Sequence, residues 1–344
     1  MAGNSWNFQT YTFGGSDLKS GIQREDLLDQ ITNVDPWETP WVSQAPKVTA
    51  RHVYHQWLKD TLSPQNTNGA TEGADWALDS TTSPTREFNV TMILRKDIGI
   101  SETERAVDTA GFKDHYAYEV QKATKELAIK LEKILFASAT SFTTGTSLGA
   151  RSMKNLRDFC VTNTAFAGAF NTSNTSSGNS TQCGQLDAND FNNMLNLIFV
   201  AGGSPEQVYV SPKVKRQISA FTVPGTSAGT PQARNIAAID KKLVSSIDFY
   251  DSDFGLIQIV LDRWVPEGNN SSLTNSSATD VAGGCFFLSR AINRLAWLRP
   301  MSHQLVGKRG DSVAGYVVGE CTLEVLNEKA NGIIRSVNNK SAVS

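Results

Sequence analysis

Apolar side chains recur with the period of a helix along residues 111–139. They fall three or four residues apart and share one face: Phe112, Tyr116, Val120, Ala123, Leu127, Leu131 and Ile134. Charged residues cover the remaining surface, and Glu126 precedes Lys130 in the favourable i,i+4 order. Because the stretch has no proline and no internal glycine, it predicts one amphipathic helix roughly 40 Å long. Such a helix suits an ordinary α+β core, and its length also suits a spine that carries other parts of the chain.

Two strands are predicted before this helix, with a long polar segment between them. Residues 48–62 alternate between apolar and polar positions, and residues 86–100 are rich in β-branched and apolar side chains. The segment between them, residues 63–84, holds prolines, glycines and many small polar residues, together with Trp76. About twenty structureless residues are unusual inside a compact domain. The pattern therefore favours an extended loop that neighbouring molecules order.

A compact α/β unit is predicted from residue 186 to residue 300. Residues 186–200 have a helical pattern with Asp187 or Asn189 as the N-cap, and Pro212 opens a second helix. Residues 207–210 predict a buried strand, and we expect the strands at residues 247–250, 256–261 and 285–288 to form one sheet.

The end of the chain, residues 314–337, predicts two strands that form a hairpin around residues 327–332. These late strands and the strand at residues 86–100 are the ones left to pack beneath the long helix.

The N-terminal residues predict an extended arm whose aromatic side chains need a partner surface. Residues 1–21 are polar with scattered aromatic side chains, and residues 23–32 predict a short helix. Prolines at positions 36 and 40 then forbid a continued helix around Trp37 and Trp41. Side chains as large as tryptophan are costly to leave in water, so both should dock, either on this subunit or on another.

Composition excludes several classes of protein. The formal net charge is -2 over 344 residues, so no strong basic field announces binding to nucleic acid. No apolar run approaches the length of a membrane span, and the N-terminus lacks the pattern of a signal peptide. The 4 cysteines are widely spaced without a C-x-x-C pair, which favours reduced thiols and assembly in a cytosolic compartment.

A search for catalytic patterns finds none that supports an enzyme or a cofactor. The G-x-S-x-G pattern occurs at residues 145–149 and 225–229, but both matches lie in regions predicted as Gly/Ser/Thr-rich loops, away from a strand-to-helix turn. His52 and His55 would point to opposite faces of a strand, which argues against a shared metal. The isolated histidines, His115 and His303, are interpreted as structural.

Four stretches carry a family resemblance. They are residues 24–41 (REDLLDQITNVDPWETPW), 72–74 (EGA), 100–111 (ISETERAVDTAG) and 322–334 (TLEVLNEKANGII). Together with the order of arm, long loop, helix, α/β unit and late strands, they resemble major head proteins of tailed double-stranded DNA phages, which have the Hong Kong 97 capsid fold. The resemblance covers nearly the whole chain and is weakest at residues 141–184 and 267–280.

The resemblance implies an α+β fold with named parts. These are an N-terminal arm (1–47), an extended E-loop (48–104), a P-domain with the spine helix at about 111–139 (105–185), an A-domain (186–300), and P-domain return strands with the C-terminus (301–344). None of the matched stretches is catalytic, so the resemblance implies no active site, cofactor or metal site.

The resemblance also implies a function. Copies would form hexameric and pentameric capsomers of an icosahedral or elongated virion head around double-stranded DNA, without sequence-specific binding. A separate scaffolding protein, a portal and a decoration protein are expected partners, with assembly in the cytoplasm of a bacterial host and no membrane. Subunit contacts are expected at Trp37, Trp41, Trp57, Glu72, Trp76, Arg95 and Lys96. The alternatives are a cellular nanocompartment shell of the same fold and, from a different class, a soluble α/β enzyme.

Overall fold

A computed structural model describes residues 33–62, 69, 72–73, 75, 82–107, 111, 114–137, 142–147, 149–167, 186–219, 236–237, 242–243, 248–266, 284–308 and 310–335. The predicted helix at residues 23–32, most of the loop tip with Trp76, and the second G-x-S-x-G match lie outside the described residues.

The described elements alternate between short helices and strands around one long helix. The helices are α1 (Pro40–Gln44), α2 (Glu102–Ala106), α3 (His115–Leu135), α4 (Leu156–Phe159), α5 (Ala188–Val200) and α6 (Pro212–Ser219). The strands are β1 (Lys47–Thr49), β2 (Tyr54–Lys59), β3 (Thr85–Val90), β4 (Met92–Ser101), β5 (Thr164–Phe166), β6 (Gln207–Val210), β7 (Ile236–Ala237), β8 (Lys242–Leu243), β9 (Phe249–Ser252), β10 (Gly255–Leu261), β11 (Cys285–Leu288), β12 (Asn293–Leu305), β13 (Ser312–Val325) and β14 (Gly332–Arg335).

Helix α3 confirms the predicted amphipathic helix, but it has 21 residues, His115–Leu135, and is shorter than the predicted range of 111–139. Asp114 caps its first turn, since the Asp114 side chain accepts a hydrogen bond from the backbone N–H of Tyr116 at 3.0 Å. Its apolar face is buried through Leu127, Leu131 and Leu135. These side chains join one hydrophobic core with the strands beneath.

A four-stranded sheet in the order β1-β12-β13-β4 lies under α3. Strand β13 pairs antiparallel with β12 on one side and with β4 on the other. The prediction that a late strand and the strand before the helix pack beneath the spine is therefore confirmed.

The prediction of one strand over residues 86–100 is wrong. The chain breaks at Thr91: β3 pairs with β2 in a separate two-stranded sheet, while β4 joins β13. Thr91 is fully buried, and its side chain donates a hydrogen bond to Glu320 at 2.7 Å. Its backbone N–H donates to the carbonyl of Val53 at 2.9 Å. These bonds fix the point where the chain passes from one sheet to the other, and the segment at residues 48–62 is likewise divided into β1 and β2.

The second large sheet has six strands in the order β5-β14-β11-β6-β10-β9. It contains the strands predicted near residues 247–250, 256–261 and 285–288, which confirms that they share one sheet, and the buried strand predicted at residues 207–210 also belongs to it. Helix α5 covers part of it with Phe191, Met194 and Ile198 in a second hydrophobic core. Asp187 is the N-cap of α5, as expected, because its side chain accepts from the backbone N–H of Ala188.

The predicted hairpin at the end of the chain is wrong. Strands β13 and β14 belong to different sheets, and a 3₁₀ turn at Glu328–Ala330 joins them. The reason is a buried pair of amide side chains at the point where the chain passes from the first sheet to the second. Asn293 and Asn331 donate to each other's side-chain oxygens, both at 2.8 Å. Because β12 begins at Asn293 in the first sheet, the chain leaves the second sheet before residue 300 and returns to it only with β14.

Candidate functional site

The β2–β3 hairpin is the described base of the predicted E-loop. Its strands are antiparallel and run in register from Tyr54 opposite Val90 to Lys59 opposite Thr85. Successive side chains of β2 alternate between exposed and half-buried positions, as a strand with one covered face requires. The hairpin therefore presents one face to its own subunit and the other face outward.

The inner face of the hairpin is fastened to β13 by polar contacts. The His55 ring nitrogen Nε2 lies 2.7 Å from Oε2 of Glu324. The side chain of Asn89, fully buried, donates to the carbonyl of Leu323 at 2.8 Å and accepts from the backbone N–H of Lys154 at 2.8 Å. Since buried polar groups are costly unless hydrogen-bonded, these contacts fix the direction in which the hairpin leaves the body.

Glu320 of β13 is the centre of a charged cluster at the foot of the hairpin. Its carboxylate accepts from Arg151 at 2.7 Å, from Arg299 at 3.0 Å and from the hydroxyl of Thr91 at 2.7 Å. Glu320 itself is buried, and such a charge is tolerated because it is paired and fully hydrogen-bonded. The cluster connects three segments that are distant in the sequence.

Two apolar side chains of β2 are exposed on the outer face of the hairpin. Tyr54 is 40% exposed and Leu58 is 67% exposed. Leu62, just past β2, is also exposed. A two-stranded hairpin is at best marginally stable on its own, and grouped exposed apolar side chains mark interaction sites. This face is the candidate subunit-contact surface of the chain.

The outward face of the spine helix carries a second, lysine-rimmed surface. The ammonium of Lys133 lies 4.4 Å from the ring centre of Trp264, and that of Lys125 lies 5.1 Å from the ring centre of Trp37. A cavity of about 620 Å³ opens here between α3 and residues 35–36, with Ile129 and Ile134 in its wall. This surface therefore has apolar side chains at its centre and lysine side chains around them.

The structure separates the predicted contact residues into two groups. Trp41 is only 3% exposed and belongs to the core of its own subunit, which decides between the two docking sites left open by the sequence. Trp57 also packs inward, with its ring 5.9 Å from that of Phe159. Trp37 is 62% exposed and Glu72 is exposed, so both are accessible to a neighbour.

Arg95 and Lys96 on β4 have partners within the subunit. Nε of Arg95 lies 2.5 Å from Oδ1 of Asp97, and its guanidinium carbon lies 4.7 Å from the ring centre of Tyr316. Lys96 lies 2.8 Å from Glu126, and this contact raises the pKa of the lysine. A contact role for the predicted residues stays a prediction. The sequence reasoning missed Tyr54 and Leu58, although their alternation with His55 and Trp57 was the available signal.

The described residues offer little for chemistry. In the first G-x-S-x-G match, residues 145–147 and 149 lie outside any strand or helix, and Gly145 has a φ of 81°. His303 bonds to the hydroxyl of Tyr116 at 2.8 Å, and His115 lies 3.5 Å from Glu104, which supports their structural interpretation. No group of three or more His, Cys, Asp or Glu side chains in the described part of the chain could hold a metal ion. Among the described helices, none has the length and apolar character needed to cross a membrane.

Comparison with solved structures defines the class. A protein of Microbacterium phage Oxtober96 matches with a TM-score of 0.56 at 12% identity, over 92% of this chain and 97% of that one. The capsid of Myoviridae phage XM1 matches with a TM-score of 0.53 at 12% identity, over 94% and 99%. An encapsulin complex from Synechococcus elongatus matches with a TM-score of 0.54 at 9% identity, over 95% and 96%. The fold is therefore the α+β Hong Kong 97 type of shell proteins.

The sequence comparisons then give the family. The profile of the family described as SU10 major capsid protein matches residues 3–338, so the chain belongs to that family. A curated relative, the major capsid protein of Escherichia phage Phieco32, is 32% identical over 108 residues. That match spans 31% of this chain and 31% of the relative. The family confirms the resemblance seen in the sequence: this is a structural, shell-forming protein of a phage capsid, located in the virion.

Proposed function

We propose that copies of this chain form hexamers and pentamers that close an icosahedral or elongated head, with the β2–β3 hairpin lying over a neighbouring subunit. One observation carries this proposal: the inner face of the hairpin packs against its own subunit, whereas Tyr54 and Leu58 on the outer face have exposed apolar surface. A neighbouring copy supplies the missing cover. The same face would otherwise be a liability in a protein made in many copies.

The head encloses double-stranded DNA without sequence-specific binding. The net charge of -2 supports this part of the proposal, because a wall with a strong positive field would adsorb the packaged DNA. The chain acts as a structural component and catalyses no reaction. We take from the family resemblance that a separate scaffolding protein, a portal and a decoration protein act with it.

Assembly takes place in the reducing cytoplasm of the bacterial host. The described cysteines, Cys160, Cys285 and Cys321, are free and buried. Burial raises the pKa of the Cys160 and Cys321 thiols to about 12, which keeps them protonated and unreactive. These thiols are core residues, and the subunit needs no oxidising compartment to fold.

A nanocompartment shell is the second candidate, because an encapsulin shares the fold at a similar TM-score. Imaging and native mass measurement of the purified full-length protein test both shell proposals against a soluble enzyme, since only shells give large hollow particles. The content of the particles separates the two shells: nuclease-protected double-stranded DNA in virions supports the phage head, and protein cargo supports the nanocompartment. Monomers or small oligomers under all assembly conditions would contradict both.

A further inference from the structure

Two buried carboxyl groups meet beneath helix α1. Glu132 lies on α3 and Asp262 directly follows β10, and both residues are fully buried. Glu132 accepts hydrogen bonds from the backbone N–H groups of Trp41 at 2.8 Å and Val42 at 2.9 Å. Asp262 accepts from the backbone N–H of Trp264 through Oδ1 at 2.8 Å. Its other oxygen, Oδ2, is buried and has no donor.

The segment above this pair, residues 38–44, is tied to both halves of the subunit. The indole N–H of Trp264 donates to the carbonyl of Glu38 at 2.8 Å. At the other end, Gln207 of β6 donates to the Gln44 side chain at 2.8 Å, and Arg290 donates to the Gln44 carbonyl at 3.1 Å. Glu132 holds the middle of the segment from the spine helix. The segment therefore connects α3 to the second sheet.

One proton shared by the two carboxyl groups resolves the unpaired oxygen. Two carboxylates in contact and away from water do not both ionise, because burial and mutual repulsion disfavour the second charge. Burial raises the pKa of Glu132 to about 8, with a further contribution from Asp262. Burial also raises the pKa of Asp262. A proton between them gives Oδ2 of Asp262 a hydrogen-bond partner while Glu132 keeps both backbone donors.

Other titratable and charged groups surround the pair. Tyr209 of β6 faces both carboxyl groups, and its pKa is raised above the ordinary tyrosine value, so it stays neutral. Arg290 is the cation on the side of the second sheet, and its guanidinium is bonded to Gln44. Lys133 lies over the Trp264 ring at 4.4 Å. Helix α1, residues Pro40–Gln44, contributes no charged side chain.

We propose that Glu132 and Asp262 share a proton and act as a pH-dependent latch that holds residues 38–44 across the spine helix and the second sheet. The latch belongs to the single subunit and does not depend on shell formation. It would make the attachment of the N-terminal arm to the body sensitive to pH.

The direction of the effect follows from proton linkage. The closed latch keeps its proton until about pH 8, whereas an opened, hydrated Glu132 loses it near the ordinary value of 4.5. Opening is therefore disfavoured most in acid and becomes easier as the pH rises between these values. One proton corresponds to about tenfold in the opening equilibrium per pH unit. Above about pH 8 both states have lost the proton, and the dependence levels off.

Amide hydrogen exchange at Trp41 and Val42 tests the latch in unassembled full-length protein. Protection factors, corrected for the intrinsic pH dependence of exchange, are measured from pH 5 to pH 9. We expect them to fall by about tenfold per pH unit up to pH 8 and then to level off. In Asp262→Asn the amide takes the place of the shared proton as a donor to Glu132, while the burial of Glu132 remains, so the fall should become smaller and level off at a lower pH. The control Asp251→Asn, an exposed acid on β9, should keep it.

Two results would overturn the proposal. Wild-type protection factors that do not change from pH 5 to pH 8 exclude a latch proton, and this holds even if Asp262→Asn fails to fold. A pH dependence that is undiminished in Asp262→Asn shows that Asp262 does not share the proton. Because the measurement uses single subunits, its failure would leave the proposal of a closed head untouched.

Discussion

The two faces of strand β13 are both buried, but by different chemistry. One face places Cys321, Leu323 and Val325 in the apolar core under the spine helix. The opposite face carries Glu320 and Glu324, which bond to the foot of the hairpin and to nearby arginines. Apolar packing is non-directional and supplies most of the stability, whereas hydrogen-bonded charges fix geometry. The spine side stabilises the subunit, and the hairpin side fixes the direction in which the β2–β3 hairpin leaves the body.

Loss of apolar packing under the spine helix should lower the free energy of unfolding most. Leu131→Ala removes a fully buried side chain from the core of α3, and the expected loss in the free energy of unfolding is about 2–5 kcal/mol. Urea denaturation of the purified subunit measures it. The adjacent exposed Lys130→Ala is the matched control and should change the same quantity by no more than about 0.5 kcal/mol. Equal losses for the two variants would refute the assignment of this face as the stabilising one.

Loss of the hydrogen-bonded charges around Glu320 should lower the free energy of unfolding by a smaller amount. Glu320→Ala leaves Thr91 and two arginines without their acceptor, and the arginines are partly exposed, so water recovers part of the loss. We expect about 1–3 kcal/mol in the free energy of unfolding. Proteolysis within the hairpin should accelerate more than global unfolding explains. Asp60→Ala, an exposed acid at the end of β2, serves as control. A hairpin as resistant as in the wild type would show that the cluster does not orient it.

The outer face of the hairpin should affect assembly and leave folding nearly unchanged. Leu58→Ser alters an exposed side chain, so the unfolding free energy should shift by no more than about 0.5 kcal/mol. The yield of particles in an assembly reaction should fall, since the apolar contact with the neighbour is lost. Gln56→Ser, on the same face but polar, is the matched control. Unchanged yield in Leu58→Ser would remove this residue from the contact surface.

The sequence predicts the elements whose pattern is local. The apolar spacing from Tyr116 to Ile134 is enough for α3, and the short apolar runs at residues 207–210 and 285–288 are enough for β6 and β11. The break at Thr91 is not local, because it depends on Glu320, which lies 229 positions further along the chain. The crossing between β13 and β14 likewise depends on Asn293, which no turn signal near Asn331 indicates.

The candidate site shows the same division. Alternation along β2 reveals that the hairpin has two different faces, but it does not reveal which face meets the body. That choice is made by Glu324 and Phe159, which reach His55 and Trp57 from distant segments. Trp57, which the sequence predicts as a subunit contact, therefore packs against its own subunit, whereas Tyr54 and Leu58 mark the exposed face.

Replacing residues 61–84 by a single glycine tests whether the loop between β2 and β3 is needed to close the shell. Asp60 and the glycine would then form a two-residue turn between Lys59 and Thr85, which are already paired. Electron microscopy of the assembly reaction and urea denaturation of the subunit are compared with the wild type. We expect a subunit of nearly unchanged stability that forms no closed particles. Closed shells of normal size from this variant would contradict it.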